Sequence, residues 1–165
     1  ALLAWQSILL LRRELETIEH TKGAELLNEL AHGFYDDEDL VNHFLHLSYS
    51  PEYRFDIARF EGTHGQPNVE HVQLARREDR QTSELLDLLN SVCFYIEQRM
   101  VSHEEIASTG LGYVIARVWR HGAVQQYIDW VDKPNPGSSA QASAFAHFRK
   151  HAPRITALKY PSPSL

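Results

Sequence analysis

Between Leu85 and Trp130 the chain reads LLDLLNSVCFYIEQRMVSHEEIASTGLGYVIARVWRHGAVQQYIDW, and this stretch constrains the fold more than any other. Leu85, Leu88, Leu89, Val92, Ile96 and Met100 recur at the three- and four-residue spacing of one helix face. Ser102 followed by Glu105 is a capping box, in which two side chains satisfy backbone N–H groups that a helix start leaves open. Ile106, Tyr113, Ile115, Val118 and Trp119 fill the helix that follows, with Gly122 as a kink before residues 123–131. The pattern predicts an all-α protein, an irregular bundle of about five to six helices. It carries no catalytic signature.

The flanking segments extend the same reading. A first helix is expected through residues 14–30, with Gly33 as its C-terminal stop. Asp36 or Asp37 then caps DEDLVNHFLHLSY, whose acidic start complements the helix dipole. Ser50-Pro51-Glu52 opens a short third helix to about Phe60, and Gly62, Gly65 and Pro67 form a loop. A fourth helix is expected over residues 68–100, polar and exposed as far as Ser83. Lys133 to Ser139 reads as a linker, residues 140–151 as one more short helix with Phe145 and Phe148 inward. From Pro153 onward apolar periodicity is too sparse for the tail to fold alone. Three regions result: an apolar juxtamembrane helix over 1–20, a bundle over 21–132, and a linker, short helix and extended tail over 133–165.

The opening ALLAWQSILLL is apolar on every side except at Gln6 and Ser7, and Arg12 and Arg13 follow at once. Eleven helical residues rise only about 16 Å, roughly half of a bilayer core. The segment therefore reads as the inner half of a transmembrane helix, with Trp5 near the interface and Arg12 and Arg13 on the cytoplasmic side. Leu2, Leu3, Leu9 and Leu11 would meet lipid or a partner. An ordinary core helix is the alternative.

A formal charge of −6 and a pI near 5.9 argue against nucleic acid as a partner. Arg76, Arg77 and Arg80 are interleaved with Glu78 and Asp79, as on a solvated helix face. The single cysteine, Cys93, excludes an internal disulfide, and its apolar neighbours predict a buried, inert thiol. Gly110-Leu111-Gly112 follows a helix rather than a strand, so close packing explains it better than a phosphate loop. No cofactor is implied.

Three constellations remain. Asp39, His43 and His46 share one face of the second helix and are the best metal candidates. Asn90, set among core leucines, is placed to hydrogen-bond across to another helix. Trp119, Tyr127 and Trp130 suggest an aromatic ridge for a protein partner, with ordinary core as the alternative.

Leu89-Asn90 on one helix, the Met100-Val101-Ser102 turn and Trp119 on the next helix resemble a bacterial family of uncharacterised small helical domains. The resemblance covers residues 85–128 and implies an N-terminal membrane anchor followed by a cytoplasmic helical bundle. It transfers no functional residue. Together these features lead to the expectation of a non-enzymatic scaffold or accessory subunit of a membrane-associated assembly, on the cytoplasmic side of a membrane, with other protein subunits as partners. A metal- or small-ligand-binding enzyme or sensor using His43 and His46, and a soluble helical adaptor, are the rivals.

Overall fold

Local capping decides where the helices of this chain begin and end, and the computed structural model describes residues 17, 21–50, 52–54, 70–133 and 143–160. Seven helices and no strand occur among them: α1 over residues 21–35, α2 Glu38–Tyr49, α3 Glu70–Glu97, α4 His103–Ser108, α5 Gly110–Trp119, α6 Gly122–Val131 and α7 Ala146–Lys159. The protein is all-α, as the periodicity requires.

Several boundaries differ from expectation for identifiable reasons. Gly33 is not a stop: α1 runs through it to residue 35, which brings Phe34 into the core. The chain turns at Asp36, and Asp37 caps α2 by accepting the Leu40 N–H at 3.1 Å. α3 stops at Glu97, before Met100, because Arg99 adopts the left-handed conformation at φ 58°. There Arg99 N bonds Ile96 O and Met100 N bonds Tyr95 O, a Schellman ending built without glycine. Of the expected third helix, residues 52–54 are a turn and irregular chain, and Pro51 and 55–60 lie outside the described residues.

The single helix expected after Ser102 is three. The Ser102–Glu105 capping box forms in both directions and opens α4. Thr109 then ends α4 and starts α5 with one hydroxyl, which donates to Ile106 O at 2.7 Å and accepts Gly112 N at 3.3 Å. Gly112 must lie against α4: a Cβ there would collide with the Ile106 carbonyl and Ala107. Instead of a kink at Gly122, a new helix starts, capped by His121 Nδ1 on Ala123 N.

α5 is the central element, with Leu111, Val114, Ile115, Ala116 and Val118 all buried. α2, α4, α6 and α7 pack around it, and α3 supports both α2 and α7. The core face of α3 is wider than a single stripe, since Leu86 and Cys93 are buried beside Leu85, Leu89 and Val92. Burial pushes the Cys93 thiol up to about 12, consistent with an inert core cysteine.

The tail is corrected most. Pro153 lies inside α7 rather than at the start of an extended segment, and Ala152 and Ile155 on either side of it are buried. A proline there removes one backbone donor. Tertiary contacts hold the helix regardless: Phe148 and Ile155 are fully buried, and Asn90 Oδ1 accepts Phe148 N at 3.0 Å. Asn90 thus caps α7 from α3, as α7 has no side-chain cap of its own. Asp132 completes the start by binding Ala144 N, Ser143 Oγ and Arg149.

Two substitutions test this account by thermal denaturation. Arg99→Gly should stabilise the fold by about 1 kcal/mol, since glycine takes the left-handed conformation without a Cβ clash. Gly112→Ala should destabilise it by about 1–3 kcal/mol, because the added methyl meets backbone that cannot yield cheaply.

Candidate functional site

The sequence-selected metal residues lie around one surface groove of about 260 Å³ between α2 and α3, lined by Asp39, Asn42, His43, His46, Leu74, Arg77, Glu78 and Gln81. Each of the three is engaged elsewhere. Asp39 pairs with Arg77 at 3.0 Å. His46 packs edge-on against Tyr53, with ring centroids 4.9 Å apart. His43 is buried, and its Nε2 lies 2.9 Å from Thr82 Oγ1. Thr82 Oγ1 donates its own proton to Glu78 O at 2.7 Å, so it must accept from His43, which fixes the Nε2–H tautomer. Among the described residues no group of three or more His, Cys, Asp or Glu side chains is placed to hold a metal.

This contact also revises the exposed first half of α3, because Thr82 is fully buried beneath α2. The arginines nearby do behave as a solvated face: Arg77 pairs with Asp39 and Arg80 with Glu84.

The aromatic residues selected for a partner lie along internal seams. Trp119 packs edge-on against Phe148 at 5.7 Å, while Tyr127 and Trp130 are in contact with each other at 5.7 Å. Tyr127 is a core residue, 2% exposed, and its hydroxyl donates to Asp79 Oδ1 at 2.6 Å. Burial, with that hydrogen bond to Asp79, raises its phenol above the ordinary range. Leu2, Leu3, Trp5, Leu9, Leu11, Arg12 and Arg13 lie outside the described residues. No described helix is long and apolar enough to cross a membrane.

The exposed aromatic surface lies on another side. Tyr35, Phe34, Phe44 and Tyr113 make a run of edge-to-face contacts, at 5.1, 5.8 and 6.2 Å, from α1 through α2 to α5. The inner two rings are buried, whereas Tyr35 is 53% and Tyr113 41% exposed. Arg117 on α5 donates to Ser48 O on α2 at 2.8 Å, so residues 44 and 48 face 113 and 117. Leu45 and Tyr49 follow them one position further round α2, and both are exposed, Tyr49 at 80%. Tyr35, Leu45, Tyr49 and Tyr113 are thus exposed large side chains on the three helices that meet at Phe34 and Phe44. Asp36, Asp37, Glu38 and Asp39 follow Tyr35 directly in the chain at the start of α2, with Asp37 as its cap and Asp39 paired with Arg77.

Sequence reading missed this face because Tyr35 stands past the expected end of α1 and Tyr113 counts as core by spacing. The available signal was on α2, where Leu45 and Tyr49 fall off the stripe of Leu40, Phe44 and Leu47.

Burial holds His43 down at about 4, below the ordinary histidine value, with His46 adding repulsion. A folded-state value below the unfolded one means the unfolded chain takes up the proton first as pH falls. Stability should therefore be full above about pH 6.5 and fall toward pH 4, by roughly 3 kcal/mol from this group. His43→Gln should flatten that part of the profile, measured by denaturant titration at successive pH values. An unchanged slope would contradict the buried neutral imidazole.

In comparisons with known proteins the chain matches no family model, no curated protein and no solved structure.

Proposed function

We propose that this chain is a non-enzymatic helical scaffold, an accessory subunit that docks another protein through the face made by Tyr35, Leu45, Tyr49 and Tyr113. The observation that supports this reading best is the exposure of four large apolar or aromatic side chains on three adjoining helices, two of them, Tyr35 and Tyr113, in ring contact with buried Phe34 and Phe44. Tyrosine on a rigid support offers broad contact at low entropic cost, and contiguous apolar exposure of this kind marks interaction sites. Asp36 and Glu38, next to Tyr35 in the chain, favour a partner segment with apolar side chains flanked by Lys or Arg.

In the same proposal residues 1–13 tether the bundle to the cytoplasmic side of a membrane, with Arg12 and Arg13 at the headgroups and the docked partner part of a membrane-associated assembly. The support is the all-round apolarity of Ala1–Leu11. The family resemblance of residues 85–128 implies the same order of tether and bundle. The reading of His43 and His46 as ligands loses support, since Thr82 and Tyr53 already engage both rings.

Leu45→Glu with Tyr49→Glu should leave stability within about 0.5 kcal/mol, because neither side chain is core. A photo-crosslinker at Tyr49 should capture one defined protein in cells, and the Leu45→Glu substitution should abolish that adduct. A crosslinker at Gln126 should capture none. Equal capture at both positions would sink the docking face. Separately, deletion of residues 1–11 should move the chain from the membrane to the soluble fraction, and an unchanged membrane fraction would remove the tether.

A further inference from the structure

The end of α3, the first turn of α4 and the middle of α7 bring two imidazoles together nitrogen to nitrogen. His103 Nε2 on α4 lies 3.0 Å from His151 Nδ1 on α7, with ring centroids 5.1 Å apart and planes tilted by 48°. Behind them His151 Nε2 lies 3.1 Å from Glu97 Oε1, which also accepts from Lys150 Nζ at 2.8 Å. A carboxylate paired with a lysine is ionised and only accepts, so His151 carries its proton on Nε2 and presents a lone pair at Nδ1. His103 meets that lone pair with its own Nε2–H.

A metal-bound imidazole is held in the same way. Its far nitrogen donates to a carboxylate, which fixes the tautomer and makes the near nitrogen a stronger ligand. Two nitrogens bound to one zinc ion at 2.0–2.1 Å, at octahedral or tetrahedral angles, stand about 2.9–3.4 Å apart. The 3.0 Å between His103 and His151 falls inside that range. His151 is 8% exposed, on a helix seated by fully buried Phe148 and Ile155, so its ring is fixed in place. His103 is half-buried, which leaves an approach from solvent. The cations nearby are matched by acids, Lys150 by Glu97 and Arg154 by Glu104, and His147 Nδ1 lies 3.2 Å from the second oxygen of Glu97.

We propose that His103 and His151 form a two-imidazole site for a divalent ion of the zinc or copper class, with Glu97 orienting His151 from behind. The ion takes the place of the hydrogen shared between the rings. His103 then carries its proton on Nδ1 instead of Nε2, so both ligands stay neutral and no proton is lost. Among the described residues no third His, Cys, Asp or Glu joins the pair, so water completes the coordination. The bound ion ties the first turn of α4 to the middle of α7. Magnesium, which selects oxygen ligands, does not suit two imidazoles.

Calorimetric titration of the full chain with zinc chloride tests the site, at about pH 7.5, above the ordinary histidine value, in a buffer that does not chelate. One ion per chain should bind, with a dissociation constant between about 1 µM and 1 mM for two protein ligands, and magnesium chloride should not bind. Because the chain has ten histidines, variants must locate the ion. His103→Gln keeps a donor toward His151 but removes one imidazole, and should weaken zinc by about tenfold or more. Glu97→Gln keeps both imidazoles and should weaken zinc by roughly tenfold. No saturable zinc binding, or His103→Gln binding zinc like the unsubstituted protein, overturns the site, and an unchanged constant in Glu97→Gln overturns the orienting role. Imidazole nitrogen NMR of the unsubstituted protein gives a reading independent of any variant. Zinc should shift His103 Nε2 and His151 Nδ1 and leave the His103 proton on Nδ1, whereas shifts confined to other histidines overturn the proposal.

Discussion

The arrangement depends on how α7 is seated. Phe148, Ala152 and Ile155 enter the core formed by α3, α4 and α5, and Asn90 supplies the cap that the start of α7 does not make for itself. Around that apolar contact the acidic partners come from other segments: Asp129 of α6 and Asp132 just past its end hold Arg149, Glu97 holds Lys150, and Glu104 holds Arg154. Exposed pairs of this kind contribute little singly. Their value here is register, because they fix which turn of a proline-containing helix meets which neighbour.

α5 connects this seating to the proposed docking face. Trp119 at its end packs on Phe148 of α7, while Tyr113 two turns earlier reaches Phe44 and the outer surface. Both regions thus rest on one buried helix with five core side chains in its length.

What the sequence made legible is what local chemistry controls. The Ser102–Glu105 box, an aspartate cap for α2 at position 36 or 37, the core stripe of α3 and the cross-helix role of Asn90 all follow from residue type and spacing. What stayed hidden required contacts between distant segments. Arg99 takes a conformation that normally selects glycine, so no composition signal marks the end of α3. Thr109 splits a continuous apolar pattern because one hydroxyl serves two helices. Pro153 reads as a breaker until the burial of its neighbours is known. His103 and His151 are 48 positions apart, and nothing in either local stretch pairs them. Thr82 looked exposed for the same reason: its partner His43 belongs to another helix.

The account rests on α7 being part of the bundle rather than an appendage. Truncation after Lys133, followed by near-ultraviolet circular dichroism during heating, tests this most directly. Loss of the aromatic signal and of a cooperative transition is expected, since the core would stand open along α3, α4 and α5. A truncated chain that keeps its signal and melts cooperatively within a few degrees of the full one would contradict the account.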